Sequence, residues 1–123
     1  MKEEVKRWME MSKDDLESAR ANFKIKKYYV CAFLCQQAVE KALKALLIKK
    51  YKKLIKTHDL VLLGRKTGLS DFLIEKCKLL SRVSIETRYG FLDITPSKKF
   101  NKQNSLKYLN IAKEIVKWVG KRI

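Results

Sequence analysis

The chain has 123 residues, 46% of them hydrophobic, and sets 29 Lys and Arg against 13 Asp and Glu for a net charge of +16. That length suits a single domain, residues 1–123, with enough chain to bury a core. No apolar run approaches the roughly 18 residues of a membrane span, and Met1-Lys2-Glu3-Glu4 opens no apolar signal core, so a cytoplasmic location without a membrane partner is expected.

Scarce breakers (Gly 4, Pro 1) and abundant Lys, Leu, Ala and Ile predict an all-α fold. Val5, Trp8, Ser12, Leu16, Ala19 and Phe23 recur every three or four residues, which predicts a first helix over 2–24. A second is predicted over 28–52. Its first turns, Tyr28 to Leu34, are apolar all round, as in the central helix of a bundle. Lys49, Lys50, Lys52, Lys53 and Lys56 crowd its C-terminal end, where cations suit the helix dipole. Thr57 or Asp59 is placed to cap a short third helix from Leu60 to about Arg65, stopped near Gly68. Ser70 suits the N-cap of a fourth helix with Phe72, Leu73, Cys77, Leu80 and Val83 inside. Tyr89 to Asn104 reads as a long loop. A final helix starts after Asn104 or Ser105, with Leu106, Leu109, Ala112, Val116 and Val119 as its stripe. The expected architecture is an up-and-down helical bundle, three long helices plus about two short ones.

Six of the acids, from Glu3 to Glu17, fall within the first 17 residues, so the remainder is the more basic part. A surface so basic repels itself unless something acidic lies near it. Nucleic acid, a nucleotide and an acidic protein all qualify, and so does the simpler origin of a Lys-rich proteome. Cys31, Cys35 and Cys77 make an odd set with no disulfide framework. Their spacing with His58 matches no zinc knuckle, and their apolar neighbours favour buried small hydrophobes. No metal and no cofactor is expected.

The polar interruptions of helix two are more informative. Gln36, Glu40 and Lys44 are four apart and share one face, with Gln37 and Lys41 beside them. Buried polar groups are costly unless hydrogen-bonded. The structural interpretation pairs Glu40 with Lys44 and lets the glutamines bond neighbouring helices. The functional one makes this face the lining of a cleft closed by His58 and Arg88. His58, the sole imidazole, suits acid–base chemistry or a hydrogen bond to a phosphate or base, and equally a structural bond to a carbonyl. Asp59 either orients it or caps the following turn. Thr87-Arg88-Tyr89 sets a guanidinium beside an aromatic ring, suited to phosphate pairing and base stacking.

These segments in order resemble the HEPN family of small helical domains: Trp8…Asp15-Leu16…Ala19, then Tyr29…Ala32-Phe33…Gln36-Gln37-Ala38-Val39-Glu40-Lys41-Ala42-Leu43-Lys44, then Thr57-His58-Asp59-Leu60, then Thr87-Arg88-Tyr89. The resemblance implies a helical bundle, a homodimer, and binding of a nucleotide or RNA, with a minimal nucleotidyltransferase as partner in a toxin–antitoxin-like pair. It places Lys44, His58, Arg88 and Tyr89 at the nucleotide or phosphate, with Gln36, Gln37, Glu40 and Asp59 lining the cleft. Some members of the wider superfamily are metal-independent ribonucleases, whose site is an Arg a few residues before a His; in that case His58 would be catalytic. The positions where that Arg would fall hold Tyr51, Lys52 and Lys53, and Lys53 replaces a planar fork with a point charge. Gly90 stands where many relatives have Pro. Three functions therefore compete: a nucleotide- or RNA-binding module, a ribonuclease, and a purely structural dimerisation module.

Overall fold

The computed structural model describes residues 2–89 and 99–123, with side chains for 2–83 and 99–123. Its elements are α1 (Lys2–Lys24), α2 (Tyr28–Tyr51), α3 (Leu60–Thr67), α4 (Asp71–Tyr89) and α5 (Lys102–Gly120), with no strand among the described residues. The all-helical bundle expected from composition and periodicity is what the chain forms.

α1 starts with Glu3 and Glu4 and ends on Lys24, matching its charges to the helix dipole. It buries Val5, Met9, Ser12, Leu16 and Ala19 on one face. The buried Ser12 is satisfied because its hydroxyl donates to the Ala38 carbonyl at 2.6 Å. A tight turn returns the chain. Lys26 takes a left-handed φ of 64°, and the Lys27 amide bonds back to the Asn22 carbonyl at 2.8 Å. Ser12 meets Ala38 while Trp8 meets Lys44, so α1 and α2 run antiparallel.

α2 is the central helix and packs against each of the other four described helices. That position explains its apolar composition: burial is nearly continuous from Ala42 through Ile48. It ends where Lys52 turns left-handed and its amide caps the Ile48 carbonyl. Asp59 caps α3 by accepting from the Val61 and Leu62 amides. At the other end Gly68, with φ of 87°, closes a Schellman motif in which the Leu69 amide reaches the Gly64 carbonyl at 3.0 Å. Gly64 itself lets α3 sit close on α4, because a Cβ there would lie 2.8 Å from Ile74 Cδ1.

Ser70 caps α4 as expected, its hydroxyl accepting from the Leu73 amide at 3.3 Å. At 19 residues α4 is as long as α5, so four long helices and one short one stand among the described residues. Leu73, Ile74, Cys77, Leu80 and Val83 are buried, but Phe72 is 64% exposed and does not join them. Ile74 takes the inward position, and Phe72 instead lies under the Lys76 ammonium, 4.5 Å from the ring centroid.

α5 begins earlier than the spacing predicts. Asn101, not Asn104 or Ser105, is the N-cap, and Asn104 is its capping-box partner through two reciprocal bonds of 2.9 Å. The buried stripe correspondingly starts at Ser105, not Leu106, which is 43% exposed. Ser105 is tolerated inside because its hydroxyl donates to the Tyr28 carbonyl at 3.1 Å. Ser105 meets the start of α2, while Lys49 near the end of α2 donates to the Arg122 carbonyl at 3.0 Å, so α2 and α5 run parallel and the bundle is up-and-down. Of the expected loop from Tyr89 to Asn104, Tyr89 ends α4 and Lys102 onward belongs to α5; residues 90–98 lie outside the described residues. No helix among the described residues is long and apolar enough to cross a membrane.

Candidate functional site

The polar face of α2 folds into one network centred on Glu40. Gln36, Glu40 and Lys44 are 0%, 4% and 6% exposed. Their four-residue spacing stacks them on consecutive turns, so both neighbours reach the same carboxylate. Gln36 Nε2 donates to Glu40 Oε1 at 3.1 Å. Lys44 Nζ donates to Oε2 at 3.1 Å. His58 Nδ1 approaches both oxygens, at 3.2 and 3.0 Å. Gln37 Nε2 donates in turn to Gln36 Oε1 at 3.1 Å, which fixes the Gln36 amide with its nitrogen toward Glu40. α1 covers the network from outside, with the Trp8 ring centroid 5.6 Å from the Lys44 ammonium. Beside it Lys41 is held by Asp15 at 2.6 Å.

Burial pushes the Glu40 carboxyl up, but the hydrogen bonds from His58, Gln36 and Lys44 outweigh it and hold the group below the ordinary carboxylate range. Glu40 is therefore an anion at neutral pH and can only accept. That decides the histidine's geometry. Nδ1 must carry the proton that faces Glu40, and Nε2 bonds no partner among the described residues. The His58 side chain is 64% exposed, against 5% for the carboxylate that holds it. An ionised buried group thus anchors an exposed imidazole in one orientation.

Each residue of Thr57-His58-Asp59-Leu60 has its own task. The Thr57 hydroxyl accepts from the Asp59 amide at 3.1 Å. Asp59 is engaged at the N-terminus of α3, where it accepts at 3.0 and 3.1 Å, so of the two roles open to it the cap is the one it fills. Leu60 is fully buried and pins the segment to the core. His58 is left between these anchors, directed at α2.

The chain thus brings together Gln36, Gln37, Glu40, Lys44 and His58, and places Asp59 next to them in a cap. Lys44 is largely buried and bonded to Glu40. The Thr87, Arg88 and Tyr89 side chains lie outside the described residues, although the α4 backbone runs through them. Sequence reasoning does not anticipate that Glu40, 18 positions away, is the carboxylate that orients His58. The one available hint is an unexplained acid at the centre of a buried helix. Nor does it anticipate Trp8 over Lys44 or Ser12 on Ala38. Cys31, Cys35 and Cys77 are free and buried, and burial pushes the Cys77 thiol up to about 12. No group of three or more His, Cys, Asp or Glu is gathered as a metal site among the described residues.

A family model for the HEPN domain matches residues 5–123, nearly the whole chain. The chain belongs to the HEPN family. Its HEPN fold is similar to that of TT1696 from Thermus thermophilus, with a TM-score of 0.90 at 22% identity, over 97% of this chain and 98% of that one. It is also similar to ST0689, an archaeal HEPN homologue, with a TM-score of 0.84 at 25% identity over 96% of each chain. No curated protein sequence matches it. Within the HEPN frame, the Glu40 network occupies the Gln36–Lys44 and Thr57–Leu60 segments that first suggest the family.

Proposed function

We propose that this HEPN domain binds the phosphate of a nucleotide or RNA at the exposed edge of His58, and that it acts with a minimal nucleotidyltransferase in a toxin–antitoxin-like pair. The observation that carries the binding half is the Glu40–His58 contact, which orients an otherwise exposed ring through Nδ1. A protonated Nε2 donates to a phosphate oxygen, and a neutral one accepts from a hydroxyl or base N–H. Arg88 and Tyr89 are assigned to the same ligand as phosphate partner and stacking ring. The net charge of +16 favours an anionic ligand and an acidic partner. The nucleotidyltransferase and the homodimer rest on the family resemblance.

Calorimetric titration with ATP and with a short single-stranded RNA tests the binding half. His58→Ala removes one charge-assisted hydrogen bond, so affinity should fall by about tenfold, the equivalent of roughly 1.4 kcal/mol. Arg88→Ala should weaken binding at least as much, with unfolding midpoints little changed by His58→Ala because the ring is exposed. No heat at millimolar ligand, or wild-type affinity in both variants, would remove the proposal. Co-purification with a nucleotidyltransferase expressed alongside tests the partner half.

One observation favours a second reading, a metal-independent ribonuclease. A carboxylate bonded to Nδ1 is also how a catalytic imidazole is oriented and its charged form stabilised. The absence of Arg at Tyr51, Lys52 and Lys53 weighs against it. RNA cleavage in EDTA that disappears in His58→Ala would establish this reading, and cleavage that persists would end it.

A further inference from the structure

A groove of about 1010 Å³ follows the seam where α1 and α5 pack. α1 runs antiparallel to α2 and α5 runs parallel to it, so the two groove helices are antiparallel to each other. Lys13, Arg20 and Lys24 stand on the α1 wall; Lys113, Lys117 and Lys121 stand on the α5 wall. Lys113 and Lys117 on α5 and Lys121 at its C-cap recur every four residues, which sets them in a row with a rise of about 6 Å between neighbours. None of these six cations makes an ion pair among the described residues, where the pairs are Lys41–Asp15, Lys44–Glu40, His58–Glu40 and Lys78–Glu75. A single carboxylate, Glu17, interrupts them.

Between the walls the floor is apolar, formed by the buried residues Met9, Leu16 and Val116. Gly120 keeps one end open, since a Cβ placed there would meet nothing within 4 Å. Two facing rows of unpaired cations repel each other across this floor, and an anionic guest relieves that repulsion. The nature of the guest follows from what the lining lacks. It holds no aromatic ring and no amide or hydroxyl side chain. Nucleic acid would find phosphate partners there, but no stacking platform and no group to read a base edge. A second copy of the chain would bring an equally cationic groove. A helix with an apolar ridge between two acidic rows satisfies floor and walls together.

We propose that the α1–α5 groove docks an amphipathic helix of a partner protein, its apolar ridge on Met9, Leu16 and Val116 and its Asp and Glu rows on the two lysine- and arginine-bearing walls. His58 does not line this groove, so the proposal is independent of ligand binding at the Glu40 network. Fluorescence anisotropy with the full chain tests it. The probe is a labelled helical peptide of about five turns, with a Leu stripe flanked by Glu on both sides. A scrambled peptide of the same composition and a labelled short RNA serve as controls. The ordered peptide should bind at least ~10-fold more tightly than the scrambled one and weaken as salt is raised. Charge reversal in the triple variant Lys113→Glu, Lys117→Glu, Lys121→Glu should weaken it by ~10-fold or more and weaken RNA binding by much less. The milder Lys117→Ala, Lys121→Ala pair should act in the same direction, which guards against misfolding. Equal affinity for both peptides, or no effect of either variant, would overturn the proposal. So would loss of RNA binding in place of peptide binding, or a homodimer that only the reversed variant dissociates, since each assigns the groove to a different occupant.

Discussion

Glu40→Ala should destabilise the fold by about 3–5 kcal/mol, the range for removing one partner from a buried ion pair. The cause is what remains behind. Lys44 is 6% exposed, and Glu40 is the only carboxylate paired with it among the described residues. Without that anion an ammonium is left under Trp8, and the Gln36 amide loses its acceptor. Urea denaturation reads the loss as a lower midpoint. A double-mutant cycle separates the pair from simple loss of packing: Lys44→Met in the Glu40→Gln background should recover much of the stability lost in Glu40→Gln alone, because neither charge is then buried. A cost under about 1 kcal/mol with no coupling would mean that the network is not a buried pair.

The same network sets an acid limit. The Glu40 folded-state value is depressed, so its contribution is fully present above the unfolded-state value of about 4.3. It is lost as pH falls through the folded-state value, which lies below the unfolded one. The stability difference between wild type and Glu40→Gln should therefore narrow in acid.

Leu47→Ala should cost about 2–5 kcal/mol, in the upper part of that range. Leu47 is fully buried on the helix that every other described helix packs against. Collapse around the lost methyls would need several helices to shift together, so the cavity persists and adds to the lost transfer energy. Leu62→Ala is the control: at 40% exposure on α3 it should change stability by less than about 0.5 kcal/mol. Similar losses at both positions would contradict the central place given to α2.

The helices are legible in the sequence because few Gly and Pro residues leave little ambiguity about where they break. Asp59, Gly68 and Ser70 announce the ends of α3 and the start of α4 through their side-chain and backbone chemistry. The reading fails where polarity is a poor guide to exposure. Ser105 lies at a core position and bonds a carbonyl, so a stripe of α5 drawn through Leu106 starts one residue late. Asn101 and Asn104 both look like caps, and only their reciprocal bonds tell which residue opens the helix. Phe72 is expected inside because it is aromatic, whereas rotation about α4 gives that position to Ile74.

The candidate site is legible as a set of residues and not as a set of contacts. Four-residue spacing places Gln36, Glu40 and Lys44 on one face, which is a local property of a helix. The Glu40–His58 contact depends on how the connector after Lys52 returns to α2, and no periodicity encodes that. The family resemblance also places Lys44 at the phosphate. In the structure it bonds Glu40, the carboxylate that orients the ring.

With one histidine in the chain, nitrogen-15 NMR gives a single, assignable imidazole. Its two ring nitrogens test most directly whether Glu40 presents His58 to a ligand. In the free protein with the imidazole neutral, Nδ1 should carry the proton and Nε2 should have the shift of an unprotonated nitrogen. Adding ATP or a short RNA should move the Nε2 resonance and leave Nδ1 bonded to Glu40. A free protein with the proton on Nε2, or an Nε2 resonance that stays fixed at saturating ligand, would contradict it.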